Sequence, residues 1–333
     1  MNTIHGGNVF AIARERGWDW RDVLDFSASI NPLGPSPSAL AAVKDSVDRI
    51  AHYPEREPDE LRHALARAWE VDASQILLGN GATELLHFLA RVTAHRNVTL
   101  AVPVFSEFHR AYPHAATVPV MQPDLWPAEG LLVVTQPVNP TGYAVPFDFL
   151  AHRTQPVIID ESFLEFTGLP SCATLIADRP NLFVLRSLTK FYGLPGLRVG
   201  ALITSPETIS RLREYREPWQ VNVLAERAAL AALADVVHAA RTVQFVCRER
   251  EWLRGELAAL PGAQPQPGTA NYLFVALAGS AAQLCDYLLD RKILVRNCAG
   301  WPGVAQEGVR VAVRTRPENI RLLEAWKEFA CVC

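Results

Sequence analysis

The 333-residue sequence is 49% apolar and 20% charged, with a formal net charge of −3, which is typical of a soluble globular enzyme. This charge gives no reason to expect nucleic acid or an anionic membrane as a partner. The six cysteines contain no C-x-x-C pair, so we predict free thiols, Cys331 and Cys333 included, and no metal site. The start of the chain lacks the features of a signal peptide, and no apolar run approaches a membrane span, so we predict a cytoplasmic protein.

The chain begins with short motifs that precede any long periodic pattern. They are His5-Gly6-Gly7-Asn8, Asn31-Pro32-Leu33-Gly34 and Tyr53-Pro54. A residue as close to the terminus as His5 can also belong to a disordered end, so its role is open at this point.

Short apolar runs then alternate with helical patterns from about residue 75 to residue 203. The predicted strands are Gln75–Leu78, Val98–Val102, Leu131–Thr135, Val157–Asp160, Leu182–Leu185 and Val199–Ile203. Runs that are apolar on both faces indicate a mostly parallel sheet covered by helices. Functional groups of such α/β folds gather at the carboxyl ends of the strands.

Four segments follow strands in this way and carry chemically informative residues. They are Gly79-Asn80-Gly81-Ala82-Thr83, Gln136-Pro137-Val138-Asn139-Pro140-Thr141-Gly142, Asp160-Glu161-Ser162-Phe163 and Ser187-Leu188-Thr189-Lys190 with the later Arg198. Gly81 allows a turn into a helix whose free N–H groups attract an anion. Each segment alone could be a turn or a capped strand end. Together they place an amine beside donors for a phosphate group.

The second half of the chain changes to long helices and then a small mixed region. We predict helices over Glu207–Tyr215 and Val223–Ala258, a loop over residues 261–268, and strands Asn271–Ala276, Ile293–Arg296 and Val309–Val313. We therefore expect a large domain over residues 51–215. Connecting helices and a small α+β domain would occupy residues 216–333, joined by the N-terminal segment, residues 1–50.

In order and spacing, the four segments resemble those of fold-type I enzymes that use pyridoxal 5′-phosphate, with an aspartate aminotransferase-like α/β fold. The resemblance implies that Lys190 holds the cofactor covalently and that Asp160 pairs with its pyridine nitrogen. It also implies that Asn139 binds the phenolic oxygen. The residues implied for the cofactor phosphate are Gly81, Ala82, Thr83, Ser187, Thr189 and Arg198.

The resemblance also implies a homodimer with shared active sites. The family's tyrosine-proline pair matches Tyr53-Pro54, whose hydroxyl would reach the cofactor phosphate of the other subunit. An aromatic residue should stack on the pyridine ring, and we prefer Phe108 to Phe105 for this position.

Further matches indicate a substrate with two anionic groups. Arg310 matches the arginine that binds the substrate carboxylate, and Asn31 lies in the loop that closes over the substrate. The resemblance implies that Asn31 and Asn139 help Arg310 to orient this carboxylate. The opening of the chain is similar to that of the L-threonine-O-3-phosphate decarboxylases of cobalamin biosynthesis. The resemblance implies that His5 and Arg296 of this chain bind the substrate phosphate.

We therefore predict a lyase that decarboxylates L-threonine O-3-phosphate. The alternative is a histidinol-phosphate-type aminotransferase, which uses the same cofactor residues. Phe163 stands where those aminotransferases carry a tyrosine. Spacing alone does not separate decarboxylation from transamination.

Overall fold

A computed structural model describes residues 6–94 and 96–332. The α-helices are α1 (Val9–Arg16), α2 (Pro37–Lys44), α3 (Asp59–Trp69), α4 (Ala82–Val92), α5 (Ser106–Ala111), α6 (Phe147–Ala151), α7 (Pro206–Glu214), α8 (Val223–Ala234), α9 (Val236–Ala258), α10 (Ala281–Asp290) and α11 (Arg316–Val332). The strands are β1 (Leu24–Asp25), β2 (Ile76–Gly79), β3 (Val98–Val102), β4 (Ala116–Pro119), β5 (Leu131–Thr135), β6 (Val157–Asp160), β7 (Leu182–Ser187), β8 (Gly200–Ile203), β9 (Ala263–Pro265), β10 (Tyr272–Leu277), β11 (Ile293–Leu294), β12 (Arg296–Asn297) and β13 (Gly308–Ala312).

The predicted α/β sheet is confirmed as a seven-stranded sheet in the order β2-β8-β7-β6-β5-β3-β4. The neighbours from β7 through β4 are parallel, whereas β8 runs antiparallel to both β2 and β7. The carboxyl ends of the other strands and the amino end of β8 therefore meet at one edge of the sheet.

The sheet is covered on both faces, as its uniformly apolar strands require. Successive side chains of a strand point to opposite faces. In β5, Leu132 and Val134 pack into one buried cluster, and Leu131 and Val133 pack into another. Two cores thus hold the central strands rigid, and the loops at their ends start from fixed positions.

The C-terminal part forms an antiparallel sheet in the order β12-β13-β10-β9, and the N-terminal segment reaches it through the parallel pair β1–β11. The predicted strand Ile293–Arg296 is wrong as a single element. Ile293 and Leu294 pair with β1, whereas Arg296 pairs with β13, so the chain changes partner at Val295. The predicted domain boundary at residues 215 and 216 stays a prediction.

The predicted helix Val223–Ala258 is also two elements. Asp235 ends α8, and its carboxylate Oδ1 accepts a bond from the backbone N–H of His238 at 3.0 Å. A carboxylate at this position satisfies a free N–H of a new helix and favours a restart. Within the described residues, no helix is long and apolar enough to cross a membrane.

Candidate active site

One cavity lies at the sheet edge where the strands end and the four predicted segments begin. Ten of the residues predicted from the sequence line it: Ala82, Thr83, Asn139, Asp160, Ser187, Thr189, Lys190, Arg198, Arg296 and Arg310. They come from loops that are distant in sequence, and the strand directions alone bring most of them together. Arg198 joins them because it precedes β8, whose amino end lies at this edge.

Lys190 follows β7 and lies between groups of opposite charge. Its Nζ is 5.9 Å from the centre of the Phe163 ring. Burial, with the nearby positive charges of Arg310 and Arg198, lowers the pKa of Lys190 to about 8, although Asp160 acts in the opposite direction. Roughly a fifth of this amine is therefore neutral near physiological pH, far more than for an ordinary lysine, as a nucleophile or proton carrier requires.

Asp160 ends β6 and is held by one short turn. Its Oδ1 accepts bonds from Ser162 N at 3.0 Å and Ser162 Oγ at 2.5 Å. Within the described residues no hydrogen bond reaches Oδ2. Burial raises the pKa of Asp160, while Ser162 and the charge of Lys190 partly offset the rise. A cationic ligand group beside Oδ2 would stabilise the ionised carboxylate.

A group of donors suited to a phosphate surrounds the start of α4. No side chain caps this helix, so its first N–H groups face the cavity edge without a capping partner. The hydroxyls of Ser187 and Thr189 lie 2.7 Å apart. Gly81 has φ +84°, a conformation that favours glycine, and an added Cβ would lie 2.4 Å from the Arg198 guanidinium.

Arg310 is buried and only partly paired. Its guanidinium donates to Asn139 Oδ1 and to the carbonyl oxygen of Ser27, each at 2.7 Å. Its Nε has no partner in the structure. A planar guanidinium with a free N–H in a cavity is suited to a carboxylate.

Arg296 and Arg310 face the same cavity because they are directly opposed in the antiparallel pair β12–β13. Within the described residues, Arg296 forms no ion pair with a carboxylate, and its guanidinium lies over Trp301, 5.2 Å from the ring centre. Burial and the charge of Arg310 lower the pKa of Arg296. An anion bound here would relieve this repulsion.

The structure places two of the predicted residues, Phe108 and Asn31, away from the cavity lining. Phe105 lines the cavity, whereas Phe108 is buried in a core cluster, because α5 turns it away from the sheet edge. Of the two, only Phe105 faces this cavity, and the stacking role itself stays a prediction. Asn31 does not line the cavity: its Nδ2 donates to Phe191 O at 2.8 Å and to Thr242 Oγ1 at 3.0 Å. Its amide holds the loop in place and is not free for a substrate.

Of two further predicted residues, one is exposed and the other lies outside the described residues. Tyr53 is 82% exposed, stacks on Trp219 at 4.8 Å, and does not line the cavity of its own chain. His5 lies outside the described residues, although its neighbour Gly6 lines the cavity. Gly81 contacts Arg198 from just outside the lining.

Several cavity residues were not predicted from the sequence. Three hydroxyls that line the cavity are buried and have no hydrogen-bond partner in the part of the chain that the structure describes: those of Ser29, Ser106 and Thr135. Unpaired buried hydroxyls are costly, which indicates a polar ligand at this place. Thr135 ended a predicted strand and could have been inferred from that position. No motif or periodic pattern in the sequence predicted that Trp301 lines the cavity.

Comparison with known proteins relates almost the whole chain to one family. The family model for aminotransferase class I and II matches residues 21–325. The chain is 36% identical to a threonine-phosphate decarboxylase from Salmonella typhimurium, covering 98% of this chain and 96% of that protein. It is 31% identical to a histidinol-phosphate aminotransferase from Moorella thermoacetica, covering 98% and 90%. A histidinol-phosphate aminotransferase from Sinorhizobium meliloti, solved in complex with pyridoxal 5′-phosphate, has the same fold, with a TM-score of 0.87, 22% identity, and coverage of 99% and 96%.

Proposed function

The chain belongs to the aminotransferase class I and II family, and we propose that it decarboxylates L-threonine O-3-phosphate to (R)-1-amino-2-propanol O-2-phosphate. The observation that carries this proposal is the pair of arginines on adjacent strands, Arg296 and Arg310, which face one cavity. Among the residues that the structure describes, no carboxylate pairs with Arg296. A substrate with a carboxylate at one end and a phosphate at the other satisfies both.

The cavity fits pyridoxal 5′-phosphate, the cofactor of this family. The helix start with Ala82 and Thr83, the hydroxyls of Ser187 and Thr189, and Arg198 would hold its phosphate. The remaining polar groups, among them the unpaired oxygen of Asp160, would face the ring. When bound, the cofactor supplies an electron sink for the electron pair left at Cα as carbon dioxide departs.

The protein's own groups would bind and orient the substrate. Arg310, held by Asn139 and the Ser27 carbonyl, would bind the substrate carboxylate. Arg296 would bind the phosphate, together with His5. Binding energy from this remote phosphate can fix the orientation of the bond that breaks. Lys190, with a pKa of about 8, can return a proton to Cα.

The alternative function is transamination of histidinol phosphate, which the similarity to the Moorella enzyme supports. Histidinol phosphate has a phosphate but no carboxylate. In this alternative, Arg310 would bind the carboxylate of the acidic second substrate of the transamination.

The test is incubation of the holoenzyme with L-threonine O-3-phosphate. We expect release of one carbon dioxide per amine product, without formation of a keto acid. Histidinol phosphate with 2-oxoglutarate is the parallel assay. If the enzyme converts histidinol phosphate but not threonine phosphate, the decarboxylase proposal is wrong and the aminotransferase function takes its place.

We also propose a homodimer in which Tyr53 reaches the cofactor phosphate of the other subunit. Tyr53 is exposed and does not line the cavity of its own chain, which supports this arrangement. Mixing inactive Tyr53→Ala with inactive Lys190→Ala should then restore about a quarter of wild-type activity, since half the dimers are hybrids with one intact site.

The matched control mixes Asp160→Ala with Lys190→Ala. Both residues line the cavity of one chain, so no hybrid contains an intact site and activity should stay absent. Equal behaviour of the two mixtures after verified subunit exchange would show that Tyr53 does not act across the dimer.

A further inference from the structure

The loop between β12 and β13 brings Trp301 from the C-terminal sheet to the end of β3. Its indole Nε1 donates to the carbonyl oxygen of Val104 at 2.9 Å, immediately before Phe105. The ring is buried yet lines the cavity. Trp301 thus connects the C-terminal sheet to the segment after β3, and both contribute residues to the lining of the site.

This loop is held tightly in place. Gly303 has φ +84°, and an added Cβ would lie 2.5 Å from the backbone N of Pro103. Trp301 N donates to Cys298 O at 3.2 Å, and Val304 N donates to Trp301 O at 2.9 Å. The indole also packs in a small apolar cluster with Phe274, Ala276 and Cys298. The ring therefore has a fixed position.

The face of this fixed ring contacts Arg296. The guanidinium carbon is 5.2 Å from the ring centre, within the range of a cation–π contact. No carboxylate of the described residues pairs with Arg296, and Arg310 repels it from the opposite strand. Trp301 is therefore the contact that stabilises the Arg296 side chain without using its N–H donors.

We propose that Trp301 is a positioning and specificity-determining residue that holds Arg296 at a set distance from Arg310. This inference rests on the proposed function, in which Arg296 binds the substrate phosphate. An acidic partner would neutralise Arg296 and occupy its donors, whereas an aromatic face leaves both charge and donors for the phosphate. The rigid indole also limits the length of substrate that can span the two arginines.

The experiment compares Trp301→Phe and Trp301→Leu in the holoenzyme. Phenylalanine keeps an aromatic face but loses the bond to Val104, and leucine loses both. For threonine phosphate we expect KM to rise less than threefold in Trp301→Phe and roughly tenfold in Trp301→Leu, with kcat within threefold of wild type. Turnover of unphosphorylated threonine should change less than threefold in both.

The matched control is Trp252→Leu, which removes another arginine–tryptophan contact, that of Arg316 at 3.7 Å, outside the cavity. It should leave KM unchanged. Arg296→Ala should raise KM more than Trp301→Leu does, and the double variant should be no worse than Arg296→Ala alone, because both changes remove one interaction. Additive losses, or equal losses with both substrates, would show a general structural role and overturn the proposal.

A second readout separates this inference from the proposed function. Inorganic phosphate binding to the holoenzyme, measured by calorimetry, should weaken roughly tenfold in Trp301→Leu and be lost in Arg296→Ala. If threonine phosphate is inert but phosphate binding shows this order, the decarboxylase proposal fails and the role of Trp301 stands. Unchanged phosphate binding in Trp301→Leu overturns the role of Trp301 whatever the substrate.

Discussion

Replacing Asp160 by alanine is expected to lower kcat roughly a thousandfold, the size of effect that loss of a preorganised electrostatic partner produces. Asp160 Oδ1 is bound by Ser162, and Oδ2 has no partner among the described residues. We propose that Oδ2 keeps a proton on the pyridine nitrogen of the cofactor. Without that proton the ring is a weaker electron sink.

The measurement is kcat for threonine phosphate, alongside cofactor content by absorbance. Asp160→Asn keeps the shape of the side chain but not its charge, and should lose nearly as much activity as Asp160→Ala. Asp178→Asn changes an exposed aspartate and is the control for a loss of negative charge. Near wild-type kcat in Asp160→Asn with full cofactor would mean that the carboxylate is structural.

Much of this site could be predicted because its chemistry follows strand ends. Each of the four segments comes directly after an apolar run, and parallel strands end at one edge of a sheet. Asp160, Lys190 and Asn139 therefore had to lie close together once the sheet was inferred. Arg310 was instead assigned from its match to the family's late-strand arginine, because its strand belongs to the antiparallel C-terminal sheet.

The placements that differ from expectation depend on side-chain direction or on contacts between residues distant in sequence. Phe105 and Phe108 are three residues apart, and only the start of α5 decides which of them lines the cavity. Asn31 is bound by Phe191 and Thr242, which are remote in sequence. Trp301 reaches the site by a loop that folds back to β3, and no local pattern encodes that contact.

The amine of Lys190 should react with pyridoxal 5′-phosphate at a much lower pH than an ordinary lysine. Burial, Arg310 and Arg198 lower its pKa to about 8. Only the neutral amine is a nucleophile, and its fraction rises with pH through the pKa. At pH 8 about half of the Lys190 amine is neutral, against less than about 1% for a lysine with a pKa near 10.4. The rate of cofactor attachment to apoenzyme should therefore rise with pH to a midpoint near 8.

Stopped-flow absorbance would give the attachment rate between pH 6 and 10, and borohydride trapping with peptide mapping would verify Lys190 as the site. A small lysine derivative in the same buffers corrects for titration of the cofactor itself. Two variants should move the midpoint in opposite directions. Arg310→Gln removes a repelling charge and should raise it, and Asp160→Asn removes an attracting charge and should lower it. A midpoint near 10.4 that neither variant shifts would show that these neighbours do not tune the amine.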